Sequence, residues 1–97
     1  MEITRVKAKA TVANVTMTSA NTEYSYELPN GTTEFWVKLR TIGFPLKVAM
    51  VSGESGTTYF TVQSGKIHKE TDVKSSKVNL YFQSAQANMV AEITSFK

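Results

Sequence analysis

The side chains best suited to chemistry lie in the segment 66–73, where one histidine alternates with two carboxylates. His68, Glu70 and Asp72 share one face of a predicted strand, and positions i and i+2 on a strand lie about 6.6 Å apart. Two of them could chelate a metal ion. The chain has a single His and no Cys, however, and metal sites usually need more ligands with fixed supporting hydrogen bonds. We therefore predict a solvated strand face, with no metal ion and no cofactor.

The other standard catalytic arrangements are not expected either. No serine stands in a nucleophile elbow, and the chain has no glycine-rich phosphate loop. His68 is the only side chain whose ordinary pKa makes it a base near neutral pH. A chain of 97 residues forms one domain, too small for a deep active-site cleft. We therefore predict that the protein is not an enzyme and has no catalytic residues.

A second chemically informative feature is the only tryptophan of the chain, Trp36, in the segment GTTEFWVKLR at 31–40. Successive side chains of a strand point to opposite faces. The segment therefore has an apolar inward face and an outward face that is charged apart from Trp36. The inward set is Phe35, Val37 and Leu39, and the outward set is Glu34, Trp36, Lys38 and Arg40.

Tyr59 and Tyr81 also fall on outward phases, and Phe96 is a further candidate. Four explanations remain open. The rings could be covered within the monomer by loops, the N-terminal arm or lysine stems. They could lie in a subunit interface, form a platform for sugars, or stack on nucleic-acid bases as in OB-like barrels. The predicted interface residues are Trp36, Lys38, Arg40, Tyr59, Tyr81, Arg5, Lys7 and Lys9.

Composition predicts an all-β protein. Thirteen Thr, ten Val, five Phe and four Tyr outweigh the helix formers, and such side chains pack well on a pleated sheet. The net charge of +3 is well below the basic excess of a dedicated nucleic-acid binder. There is no apolar run of the roughly 20 residues that cross a bilayer, and the N-terminus lacks the apolar region of a signal peptide. We expect neither a nucleic acid nor a membrane as partner.

Strand-like segments recur about every 10 residues, with turn residues between them, as in a sandwich or barrel. No window shows a helical period. We predict a single antiparallel β-sandwich over 1–97 with about eight strands, a jelly roll being one candidate form, and no substantial helix. Residues 1–10 are either an edge strand or an assembly arm. The predicted strands are 3–9, 11–18, 22–28, 33–42, 46–52, 57–63, 66–73, 77–83 and 89–96.

Strand register is predicted from the apolar residues that must share a face. A four-residue loop around Pro29-Asn30-Gly31 would pair Tyr24 with Val37 and leave Trp36 facing outward. A three-residue loop would pair Tyr24 with Trp36, and strands in different sheets would not pair. We favour the four-residue loop.

Three further pairings are predicted from the later turns. Leu46, Val48 and Met50 align with Val62, Phe60 and Thr58. Val62 should meet Ile67 across the turn at 64–65, and Val73 should meet Val78. The predicted core is Tyr24, Tyr26, Leu28, Phe35, Val37, Leu39, Leu46, Val48, Met50, Phe60, Val62, Val78, Leu80, Phe82 and Ile93.

The runs YELPNGTTEFWVKLR, YFTVQSGKIHKE, VNLYFQS and VAEITSFK resemble the small all-β structural proteins of tailed-bacteriophage virions. The resemblance covers about residues 24–97 and consists of turn and strand patterns. It implies a β-sandwich that decorates a capsid or forms part of a fibre or tail accessory. The expected partners are copies of the same chain or other virion proteins, and the expected location is the virion. The alternatives are a carbohydrate-binding or adhesin-like module and, less favoured, an OB-like nucleic-acid-binding domain.

Overall fold

The computed structural model describes residues 10–74 and 77–97. Within these ranges the chain forms eight β-strands and no helix. The described residues therefore contain no helix that could cross a membrane. The strands are β1 (Ala10–Met17), β2 (Tyr24–Glu27), β3 (Glu34–Leu39), β4 (Leu46–Ala49), β5 (Phe60–Val62), β6 (His68–Glu70), β7 (Asn79–Gln83) and β8 (Met89–Phe96).

The strands form two antiparallel four-stranded sheets. Sheet A has the order β1-β8-β3-β6, and sheet B has the order β2-β7-β4-β5. The pairs β1–β8, β2–β7, β3–β6 and β4–β5 are nested one inside another, as in a long hairpin wound back on itself. Two four-stranded sheets with this order make a jelly roll. The prediction of an all-β sandwich of about eight strands is confirmed.

The core lies between the inner faces of the two sheets. Leu28, Phe35, Val37, Leu39, Leu46, Val48, Val62, Leu80, Phe82 and Ile93 are buried as predicted, and Tyr24, Tyr26, Phe60 and Val78 are partly buried against them. Burial of such side chains contributes roughly 1.5–3 kcal/mol each. The prediction for Met50 is wrong. Strand β4 ends at Ala49, and Met50 is 47% exposed because the chain turns away there.

Strand register was predicted correctly for one hairpin. Leu46 lies opposite Val62 and Val48 opposite Phe60, so these two pairs of β4 and β5 are confirmed, whereas Met50 and Thr58 lie beyond the paired residues. The β2–β3 pairing is wrong, because β2 pairs with β7 and β3 with β6 and β8.

The Val62–Ile67 and Val73–Val78 pairings are also wrong, since β5 and β7 belong to sheet B and β6 to sheet A. The turn itself is present at 63–66, where the Lys66 amide donates to the Gln63 carbonyl (3.0 Å). The chain uses it to cross from one sheet to the other. The predicted strand 3–9, with Arg5, Lys7 and Lys9, lies outside the described residues.

Candidate binding groove and sheet edge

The outer face of sheet A is built from the outward-phase residues of its four strands. Directly opposite residues of neighbouring antiparallel strands share a face. Across the sheet, Val12 lies opposite Thr94, Thr94 opposite Trp36, and Trp36 opposite Lys69. In the next row, Asn14 lies opposite Glu92 and Glu92 opposite Lys38. Segments far apart in the chain thus contribute to one surface.

Trp36 faces outward from β3, as predicted, and is only partly exposed. Its indole N–H donates to a carboxylate oxygen of Glu34 (2.7 Å). The Phe96 ring lies 5.1 Å from the indole, and the Lys69 ammonium lies 4.8 Å from the ring centroid. The chain therefore covers part of the ring itself, and one of the covering groups is a lysine, as the first of the four explanations requires.

Glu92 lies beside Trp36 and is shared by two cations. The Arg40 Nε–H donates to Glu92 Oε2 (2.6 Å), and the Lys38 ammonium lies 3.5 Å from Oε1. The Arg40 hydrogen bond is the main reason that the pKa of Glu92 is lowered, and the positive charges of Arg40 and Lys38 add to it. Within the described part of the chain, the Arg40 Nη groups bond to no other residue.

These side chains enclose a groove of about 420 Å³, which we name the sheet A groove. It combines apolar walls, two cationic groups and neutral hydrogen-bonding groups. Two of its apolar residues remain open to solvent, Val12 at 65% and Ile67 at 46% exposure. The groove is lined by Val12, Asn14, Trp36, Lys38, Arg40, Ile67, Glu92 and Thr94.

A second feature of sheet A is its edge. Among the described residues, β1 has a neighbour on one side only, β8. The strand is eight residues long, with the sequence ATVANVTM, and contains neither charge nor proline. Alternate N–H and C=O groups of such an edge strand point away from the sheet and are available to a further strand.

The outer face of sheet B is arranged differently, because the β4–β5 connection lies against it. Ala49 points outward opposite Tyr81, yet it is only 3% exposed. The amide of Gly53 (2.8 Å), the amide of Ser55 (3.0 Å) and the hydroxyl of Ser55 (2.6 Å) all donate to the carboxylate of Glu23.

The Gln83 side chain of β7 completes this arrangement by donating to the Ser55 hydroxyl (3.0 Å). We name Glu23, Gly53, Ser55 and Gln83 the Glu23 cluster. Ser55 is fully buried. The Ser55 hydroxyl, followed by the Gly53 amide, lowers the pKa of Glu23.

The predicted interface residues are thus divided between two faces. Trp36, Lys38 and Arg40 lie together in the sheet A groove. Tyr59 and Tyr81 belong to the sheet B side, where the Lys47 ammonium lies 5.1 Å from the Tyr59 ring centroid. Arg5, Lys7 and Lys9 lie outside the described residues. No single aromatic surface joins Trp36 to the two tyrosines.

Sequence reasoning did not identify Val12, Asn14, Ile67, Glu92 and Thr94 as groove residues. Alternation along β8 puts Glu92 and Thr94 on its outward phase. Only the strand order places them beside β3, however, and the sequence does not reveal that order.

His68 and Glu70 lie on β6, and His68 Nε2 is 2.8 Å from Glu70 Oε2. His68 is opposite Val37, a core residue, and its ring contacts Phe60 of the other sheet at 4.3 Å. The predicted solvated face is therefore wrong for His68, which is partly buried. Asp72 lies beyond β6. Residues 10–74 and 77–97 contain no group of three or more His, Cys, Asp or Glu side chains able to hold a metal ion.

No protein-family model and no curated protein matches this sequence. Among solved structures, the fold is similar to the solution NMR structure of a de novo designed double-stranded β-helix, with a TM-score of 0.56 and 13% sequence identity. The match covers 93% of this chain and 100% of the designed chain. At this identity, the chain is similar to the designed protein in fold alone.

Proposed function

We propose that this chain is a non-enzymatic structural protein of a tailed-phage virion, a capsid decoration or a fibre or tail accessory, that acts by assembling with copies of itself. The observation that carries the proposal is the long edge of sheet A at β1, which is uncharged and has one neighbour among the described residues. Two further points support it. The sequence resembles phage virion proteins over about residues 24–97, and the jelly roll is a common fold of viral capsid domains.

Assembly through β1 is supported by the way in which proteins protect the edges of their sheets. Edge strands are usually short or carry charges, because an exposed edge pairs with other chains. The edges formed by β2, β5 and β6 follow this rule, with four, three and three residues. Strand β1 has eight residues, none charged, and Val12 is exposed on it. This edge is therefore suited to strand addition.

A second copy of β1 is the partner that fits this edge best. Antiparallel pairing of β1 with β1 of another copy is two-fold symmetric and closes after two subunits. Within Ala10–Met17 neither strand carries a charge, so no like charges meet where these two segments pair with each other. Pairing of β1 with β6 would be head-to-tail, and β6 offers only three residues, His68-Lys69-Glu70. The pairing proposed is therefore a continuous sheet across a dimer axis.

Sedimentation velocity over a range of concentrations tests the assembly. We expect the wild-type chain to dimerise reversibly and Val12→Lys to shift the equilibrium to monomer by at least about 10-fold, because a charge on an edge opposes strand addition. Val51→Lys is the matched control, since Val51 is a similarly exposed valine in the β4–β5 connection. A wild-type monomer at every concentration, or equal effects of the two substitutions, would contradict the proposed interface.

The virion role is tested by mass spectrometry of purified particles of a phage that encodes this chain. We expect the chain in many copies per particle. Its absence from intact particles contradicts the virion role, whatever its state of association in solution.

A further inference from the structure

We propose that the sheet A groove is a binding site for a carboxylated sugar, such as a uronic acid residue of a polysaccharide. In this arrangement the carboxylate binds Arg40 and Lys38, and the apolar side of the pyranose ring contacts Trp36. This ligand-binding role goes beyond the assembly role and does not depend on it. The assembly proposed above uses the backbone edge of sheet A, whereas this site lies on its outer face, and Val12 of β1 borders both.

The cationic part of the groove has donors to spare. Arg40 bonds Glu92 through Nε, and within the described residues its Nη groups have no protein partner. A guanidinium that presents two N–H groups binds a carboxylate in a planar, two-point arrangement. Among the described residues, the Lys38 ammonium is held only by a longer contact of 3.5 Å to Glu92, so it can turn toward a ligand. Two positive charges face one negative charge in the lining, which leaves the groove attractive to an anion.

The remainder of the lining suits a sugar ring. A pyranose has an apolar C–H side and a rim of hydroxyl groups, so its site needs both an apolar wall and hydrogen-bonding groups. Trp36, Val12 and Ile67 supply the apolar wall, while Asn14 and Thr94 can both donate and accept. The volume of about 420 Å³ lies within the range of roughly 300–1,000 Å³ typical of small-molecule sites.

A nucleic-acid strand fits the groove less well. Binding of single strands combines a basic track with several aromatic rings on which successive bases stack. The groove offers one aromatic ring, where successive bases need several, and an excess of one positive charge in its lining. The chemistry therefore favours a single anionic ring over a polyanionic chain of bases.

Trp36 is the only tryptophan, so the intrinsic fluorescence of the chain reports directly on the site. The full chain is titrated with D-galacturonate and with D-galactose, which differ only by a carboxylate in place of a hydroxymethyl group. D-Glucuronate with D-glucose forms a second matched pair. We expect a saturable change with each acidic sugar and at least about 10-fold weaker binding of each neutral sugar, as the loss of a charged hydrogen bond predicts.

Variants identify the site. Arg40→Gln and Lys38→Gln should each weaken galacturonate binding, by about 10-fold or more for Arg40, and should reduce the preference over galactose. Lys47→Gln is the control, since Lys47 lies beside an aromatic ring on the other sheet. Far-UV circular dichroism and the thermal midpoint establish that each variant is folded. If Arg40→Gln does not fold, Lys38→Gln and the two matched sugar pairs still test whether the groove binds a carboxylated sugar.

Further ligands test which kind of molecule carries the carboxylate that the groove binds. Acetate tests the carboxylate alone, oligogalacturonate tests a polymer, and a hexaglutamate peptide tests an acidic protein segment. Stronger binding of oligogalacturonate than of the monosaccharide supports a polysaccharide ligand. No response to any sugar, equal affinity for galacturonate and galactose, or tighter binding of hexaglutamate would overturn the proposal. Sedimentation of the same samples measures assembly independently of sugar binding. Lys38 lies on β3 and Arg40 directly follows that strand, so both are away from the β1 edge.

Discussion

The outer faces of the two sheets contain similar side chains but differ in what covers them. Each has an aromatic ring with a lysine over it, Trp36 with Lys69 on sheet A and Tyr59 with Lys47 on sheet B. On sheet B, the β4–β5 connection lies against the sheet and buries Ala49. On sheet A, the described residues leave an open groove.

The difference lies in the polar groups that each face uses. The Glu23 cluster joins three distant segments of the chain, is partly buried and is built from neutral donors, so it fixes a loop against sheet B. In the sheet A groove, the charged contacts are ion pairs of the partly exposed Glu92 with the more exposed side chains of Arg40 and Lys38. Hydrogen bonds to a buried group stabilise a fold more than exposed ion pairs do. One face is therefore stabilised and the other is left available for contacts.

Removal of the central carboxylate from each face should give the largest difference between them. Glu23→Ala leaves the buried amide and hydroxyl of Ser55 without their acceptor, and we expect a loss of about 2–3 kcal/mol in the free energy of unfolding. Glu92→Ala removes two exposed ion pairs and should cost less than about 1 kcal/mol. Urea denaturation at pH 7 measures both. Equal losses would show that the two faces are not distinguished in this way.

The next largest effect should be the loss, at low pH, of the stability that the two carboxylates contribute. The folded protein lowers the pKa of both Glu23 and Glu92, so each contributes stability above the ordinary carboxyl pKa of about 4.3. That contribution is lost as the pH falls through the lowered pKa of the folded state. At pH 7 the wild type should therefore be more stable than Glu23→Gln, and the gap should close in acid.

Added salt distinguishes the causes of the lowered pKa of Glu23 from those of the lowered pKa of Glu92. The partners of Glu23 are neutral, whereas those of Glu92 are exposed cations that salt screens. The gap between wild type and Glu23→Gln should persist in 1 M NaCl, and the smaller gap for Glu92→Gln should shrink. Urea midpoints at pH 7 and pH 2.5, at low and high salt, measure both. A Glu23→Gln gap that vanishes in salt would contradict the hydrogen-bond explanation.

The smallest effects are expected where the two faces are alike. Lys69→Gln and Lys47→Gln each remove one lysine from above an exposed or partly exposed ring, and each should change stability by no more than about 1 kcal/mol. Only Lys69→Gln should alter the emission of Trp36, because Lys47 lies on the other sheet. Urea denaturation followed by fluorescence tests both. A change in Trp36 emission in Lys47→Gln would contradict the separation of the faces.

The sequence was informative about the fold wherever the physics is local. Alternation along 34–39 correctly identified Phe35, Val37 and Leu39 as core, because a strand with one buried face must alternate. The β4–β5 register also followed from alternation on the two sides of the connection 50–59. The other predicted hairpins were wrong because alternation assigns a face within a strand but does not say to which sheet the strand belongs.

The same limit applies to the groove. Trp36, Lys38 and Arg40 could be grouped in advance because they are alternate residues of β3 and of the position that follows it. Glu92, the residue that joins the two cations, lies 52 residues from Arg40 in the chain. Its position depends on β8 entering sheet A between β1 and β3, and no local pattern specifies that insertion.

The place of β8 has a consequence for how the chain folds during synthesis. Residues 10–17 and 34–39 are neighbours in sheet A only through β8 at 89–96. Sheet A therefore cannot close until residue 96 has left the ribosome, whereas the β4–β5 hairpin can form as soon as residue 62 has emerged. Proteins dominated by such distant pairings fold in roughly milliseconds to seconds. Until β8 has emerged and paired, β1 is without its partner strand. A nascent chain would then depend on dilution or on chaperones to keep β1 from pairing with another chain.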